Sequence, residues 1–217
     1  MRKLYYDQLD AIIGELVAMT GTVRLATRKA TDALLEPDLE AAEQVISADA
    51  EIDRAREEIE DKSFELLARQ QPVAGDLRML VAALRMVSDL ERMGDLAVHV
   101  AKVARLRYPV TAIPPEFVDT IATMAVVAER MIGRAAQVVA DRDIEAAHEL
   151  VREDEEMDQL RASSFRILLS KDWPYGVEPA IDIALLGRYY ERIADHAVSM
   201  AKRVVYLVTG ERAVPIP

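Results

Sequence analysis

The sequence predicts an all-α protein of two tandem three-helix bundles, and three observations predict it. Almost every segment carries apolar residues at the helical period, and almost none alternates as a half-buried strand does. Prolines and capping acids cut the chain into six long periodic stretches. The segment DLERMGDLAVHVAK, holding Glu91 and Asp95, returns a hundred residues later as YYERIADHAVSMAK, holding Glu191 and Asp195.

The first helix is predicted from Tyr5 to Leu35, ending before Glu36-Pro37-Asp38. Asp38 can cap the second, which extends to Gln70 and is stopped by Pro72. A third helix follows from Ala74 to Arg107. Tyr108 to Pro115 reads as a linker, since three prolines within seven residues do not sit inside a helix. Helix four is expected from Glu116 to Ala140, and helix five after Asp141-Arg142-Asp143 as far as Leu169. A turn at Lys171–Gly176 precedes helix six, which ends near Thr209-Gly210. The expected division is a first bundle over residues 1–108, a linker over 109–115, a second bundle over 116–210 and an irregular tail over 211–217.

The second helices repeat as well. Asp49-x-x-Ile52-Asp53 corresponds to Asp154-x-x-Met157-Asp158, and between these pairs and the aligned Phe64 and Phe165 the second copy is shorter by four residues. That is about one helical turn, so the deletion preserves the helical phase.

Composition narrows the function. The 217 residues are 51% hydrophobic but only 5% aromatic, and the formal net charge is -11. That charge, with no Lys/Arg block, disfavours direct nucleic-acid binding. The absence of cysteine excludes disulfides, thiolate metal sites and a cysteine nucleophile. Neither a signal peptide nor a membrane span is expected, and a cytoplasmic protein is the simplest reading.

On the third helix, Glu91 follows the apolar series Leu77, Leu80, Leu84 and Val87, so it is expected on the core-facing stripe with Asp95 one turn beyond. Asp49 is bracketed by Ala42, Val45 and Ile52 on the second helix, with Asp53 one turn on. Both pairs lie 21 residues from Pro72, so antiparallel packing sets them at one height. Asp154/Asp158 and Glu191/Asp195 are centred in the same way about Pro174. Four carboxylates so placed repel one another, and raised pKa values, basic neighbours or a cation must compensate. Hard oxygen donors suit iron, manganese, magnesium or calcium, and carboxylates also hold zinc. One metal site in each copy, multinuclear given four acids, is therefore expected; acids solvated at the edge of the stripe are the alternative. Arg92 and Arg192 point about 100° away round the helix and are expected to be imperfect partners for the residues beside them.

Other signals carry less. Glu145-x-x-His148 has the spacing of a di-iron ligand pair, but its counterpart is Glu40-x-x-Glu43. His196 is replaced by Leu96 in the first copy and is expected at the surface, and His99 aligns with Ser199. Met79, Met86 and Met93 are expected to fill core gaps. No Gly-rich phosphate loop or hydrolase triad is present.

With these residues in place, the chain closely resembles the PhoU family of phosphate-signalling proteins over nearly its full length. QQPVAGDLRMLVAALRMVSDLERMGDLAVHVAK and LLGRYYERIADHAVSMAKRVVYLVTGE carry the resemblance most strongly. It implies a six-helix protein with metals, iron or zinc among them, held on the surface of the helix pairs through Asp49, Asp53, Glu91 and Asp95, and again through Asp154, Asp158, Glu191 and Asp195. It further implies a non-enzymatic negative regulator of phosphate uptake that contacts the ATPase of a phosphate ABC transporter and a membrane sensor histidine kinase. Such a protein would sit in the cytoplasm or peripherally at the inner face of the membrane, and a homodimer is left open. Three departures mark this chain: Asp89 faces Tyr189 in the repeat, Gly94-Asp95-Leu96 lacks the histidine of the family's motif, and Ala194-Asp195-His196 lacks its glycine. The competing class is a metal-dependent, di-iron-like helical-bundle enzyme, which requires an open coordination position and metal-dependent turnover.

Overall fold

The computed structural model describes residues 2–211, Arg2 in its backbone alone, so the predicted tail beyond Glu211 lies outside the described residues. Six α-helices account for nearly all of them: α1 (Arg2–Leu35), α2 (Leu39–Gln70), α3 (Ala74–Arg107), α4 (Pro115–Asp141), α5 (Ile144–Leu168) and α6 (Val177–Thr209). Two starts differ from expectation. Helix α1 begins three residues before Tyr5, since nothing in Arg2-Lys3-Leu4 opposes a helix. Helix α4 takes Pro115 as its first residue, where the missing N–H needs no partner and the fixed φ is already helical.

Capping fixes the ends of α2 and α5. The Asp38 carboxylate accepts from the Ala41 N–H at 3.0 Å, and Asp143 accepts from Glu145 at 2.8 Å and Ala146 at 3.1 Å. Helix α6 ends at Gly210, whose φ of 76° lets its N–H return to the Tyr206 carbonyl at 2.9 Å.

Helices α1, α2 and α3 pack on one another, as do α4, α5 and α6. The two bundles lie side by side through α3 against α6 and α1 against α4, while α2 and α5 each touch only helices of their own bundle. Contacts advance along α3 as they recede along α6: Arg78 reaches the Leu207 carbonyl, Asp89 meets His196 and Arg203, and Arg107 meets Asp182. The two helices therefore run antiparallel. One buried apolar cluster crosses from bundle to bundle, from Leu16 and Met19 of α1 through Met86 and Met93 of α3 to Ile132 of α4 and Met200 of α6. Met79, Met86 and Met93 are all buried in it. Leu77 departs from its predicted core position and is exposed near the start of α3.

Candidate functional site

Helices α2 and α3 approach closely at Gly94. A Cβ there would lie 2.9 Å from Ile52 Cδ1 and 3.4 Å from an Asp49 carboxylate oxygen, so the missing side chain lets α2 settle onto α3 with Asp49 at the contact. Asp49 is half-buried, and its carboxyl is pushed above the usual range by burial, then by Asp95, Asp53 and Glu91, against a smaller opposing pull from Lys102. The four acids of the first copy thus share one local field, as the spacing about Pro72 required.

The second copy assembles its four in the same manner. Asp154 is pushed up to about 6 by burial, then by Asp158, Asp195 and, more weakly, Glu191, with Lys202 opposing. Buried Met157 and Ala194 stand here in place of Ile52 and Gly94.

The acids do not lie on the core-facing stripe as expected; they line its solvent edge. The Glu91, Asp95 and Asp195 side chains are 25%, 41% and 40% exposed, and Asp53 and Asp158 are exposed as well. The reason lies in the architecture. The core sides of α3 and α6 face the other bundle and the first or fourth helix, while the acids lie along the seams with α2 and α5, where solvent reaches them. Glu191 is the exception, buried at 8%.

Arg92 departs from expectation by pairing with the adjacent Glu91, whereas, among the described residues, Arg192 pairs with Asp195 and not with the adjacent Glu191. Their long side chains bridge the offset round the helix, placing Arg92 3.2 Å from Asp95 and 3.5 Å from Glu91, and Arg192 3.4 Å from Asp195. Glu191 is held by a pair that spacing did not anticipate: Arg161 of α5 stands 3.3 Å from one oxygen and Arg188 of α6 pairs with the other.

The motif's remaining polar residues serve the junction between bundles. Asp89 is buried, accepts from Arg203 Nε at 2.8 Å, and meets His196 Nδ1 at 3.1 Å. His196 is therefore not the surface residue expected; its ring is 14% exposed. Tyr189, opposite Asp89 in the repeat, stacks on His99 with ring centroids 5.3 Å apart. A register pairing residue 107 with 182 places Asp89 beside His196 and Arg203, but no motif in the sequence states that register. His148 is exposed on α5.

Among the described residues, no group of three or more His, Asp or Glu side chains is arranged to hold a metal ion. Each cluster offers donor chemistry, four carboxylates of which one, Asp49 or Asp154, is raised in pKa by burial and by its acidic neighbours, without a closed coordination shell. Such chemistry fits a hard cation best at the α2/α3 cluster, where the ion pair of Glu91 among the described residues is with the exposed Arg92.

The PhoU domain matches this chain twice, over residues 16–104 and 121–204, and so covers both bundles and both acid clusters. The chain belongs to the PhoU family. A relative from Mycobacterium tuberculosis, described as phosphate-specific transport system accessory protein PhoU homolog 2, is 45% identical over 210 residues, covering 97% of this chain and 99% of its own. A PhoU homolog from Synechocystis is 34% identical over 212 residues, covering 96% of this chain and 93% of its own. Among solved structures, PhoU from Pseudomonas aeruginosa superposes with a TM-score of 0.88 at 29% identity, covering 95% of this chain and all of that one. PhoU from Streptococcus pneumoniae, at 24% identity and a TM-score of 0.86 over 97% of this chain and 99% of its own, shares the fold. Within this PhoU-family chain, no described helix is long and apolar enough to cross a membrane.

Proposed function

We propose that this chain is a non-enzymatic regulator of phosphate uptake and phosphate-dependent signalling. It acts as an adaptor between the ATPase of a phosphate ABC transporter and a membrane sensor histidine kinase. The full-length match to the PhoU family in both repeats carries this reading. The four central helices, α1, α3, α4 and α6, join the two bundles, and the outer helices α2 and α5 each bring two acids of a cluster to the seam with a central helix.

Asp49, Asp53, Glu91 and Asp95 are the residues that would hold a cation at α2/α3, and Asp154, Asp158, Glu191 and Asp195 those that would hold one at α5/α6. A bound cation of iron, zinc, manganese, magnesium or calcium would neutralise repelling carboxylates and tie each outer helix to a central one. The test is capture of the transporter ATPase and the cytoplasmic kinase domain by the metal-supplemented chain. Elemental analysis accompanies it, on the native chain and on a variant with Glu91, Asp95, Glu191 and Asp195 all changed to Ala. The reading expects capture of at least one partner, with metal retained by the native chain and lost from the folded variant. Capture of neither partner with metal present ends the adaptor reading.

A further inference from the structure

We propose that the α5/α6 cluster carries its own counter-ion, a clamp of Arg161 and Arg188 on Glu191, which withholds that carboxylate from any cation while the α2/α3 cluster stays open. This rests on the cation reading above and narrows it, since at α5/α6 Glu191 becomes a ligand only once its two arginines are displaced. Both Glu191 oxygens are taken, one by Arg161 at 3.3 Å and the other by Arg188, and the carboxylate is buried. A guanidinium does not deprotonate in proteins, so a cation reaches Glu191 only by displacing a permanent charge.

The first copy has the same scaffold without the clamp. Ser88 stands in the place of Arg188 and donates to the Leu84 carbonyl of its own helix at 3.2 Å. Arg56 stands in the place of Arg161, seven residues after the first aspartate in each copy, but it turns away to Glu60 at 3.2 Å and Glu57 at 3.6 Å.

The one-turn deletion explains the difference. Four residues after Arg56 comes Glu60, an acid that draws the guanidinium along its own helix. Four residues after Arg161 comes Phe165, and the Arg161 guanidinium lies over its ring at 5.2 Å from the centroid. The shorter copy thus presents an aromatic platform where the longer one has a competing acid, and the arginine so supported reaches across to α6. In the longer copy Phe64 is exposed and lies a full turn further on.

The experiment is a manganese titration of the purified, chelator-stripped chain, reading free Mn²⁺ by electron paramagnetic resonance. Native protein, Glu91→Gln, Glu191→Gln and the double variant Arg161→Gln/Arg188→Ser are compared. The clamp predicts one tight equivalent in native protein, its loss in Glu91→Gln, its retention in Glu191→Gln and a second equivalent in the double variant. Equal loss in Glu91→Gln and Glu191→Gln, or two equal equivalents in native protein, would overturn it. If no variant binds manganese, the cation reading falls and the clamp is judged by melting in chelator. Glu191→Gln must then lower the melting temperature, and it must add little once Arg161 and Arg188 are already replaced. A Glu191→Gln chain that melts like the native one refutes the clamp.

Discussion

Gly94 and Asp154 show how single residues set the character of the two clusters. At Gly94 a side chain would run into Ile52, so Gly94→Leu is expected to cost about 1–3 kcal/mol through overpacking. Ile52→Ala in the same chain should return part of that loss, as urea denaturation of the two variants and their combination would show. Asp154 has a folded pKa of about 6 against an ordinary 3.8. An acid raised in the folded state contributes stability below its unfolded pKa, and loses that contribution as pH rises through the folded value. Asp154→Asn should therefore raise the melting temperature more at about pH 7.5 than at about pH 5, measured in chelator. That these acids meet was legible in the sequence, because their spacing from Pro72 and Pro174 follows from helix geometry alone. Their partners were not legible, since the reach of Arg161 and Arg188 depends on rotamers and on the aromatic platform of the shorter copy.

Individual helices were the most readable level. Pro72, the prolines of the linker and the capping aspartates marked breaks that the structure keeps, and the misjudged starts of α1 and α4 reflect termini where a helix is locally permitted. The caps also carry stability. Asp143 satisfies two N–H groups at the start of α5, so Asp143→Ala should cost about 1 kcal/mol in chemical denaturation. Helix α5, with 25 residues against 32 in α2, has less length over which to recover from that loss.

At the scale of the whole molecule, the two bundles are joined by residues that the repeat does not share. Arg107 grips the buried Asp182 with two hydrogen bonds of 2.7 and 3.1 Å, where the first copy has Ala82. Fully buried Tyr190 meets the Thr31 hydroxyl at 2.8 Å, where the first copy has Leu90. Asp182→Ala should cost about 2 kcal/mol, less than a wholly buried pair because Arg107 keeps some solvent. Tyr190→Phe should cost about 1 kcal/mol. Because the apolar core is continuous, both variants should lower one shared calorimetric transition; separate melting of the bundles would contradict that. The side-by-side packing was not legible in the sequence, since periodicity marks which face is apolar and not which neighbour covers it.

The antiparallel run of α3 against α6 has a consequence for anything that docks on the molecule. Exchanging the two copies amounts to a half-turn, and after that turn each acid cluster would fall on the other. Serine would then fall on arginine at the exposed Ser88 and Arg188, and the exposed His99 would fall on the half-buried Ser199. A partner reading this surface can thus tell head from tail. The departures from the repeat give a nearly symmetric handle a single right way round.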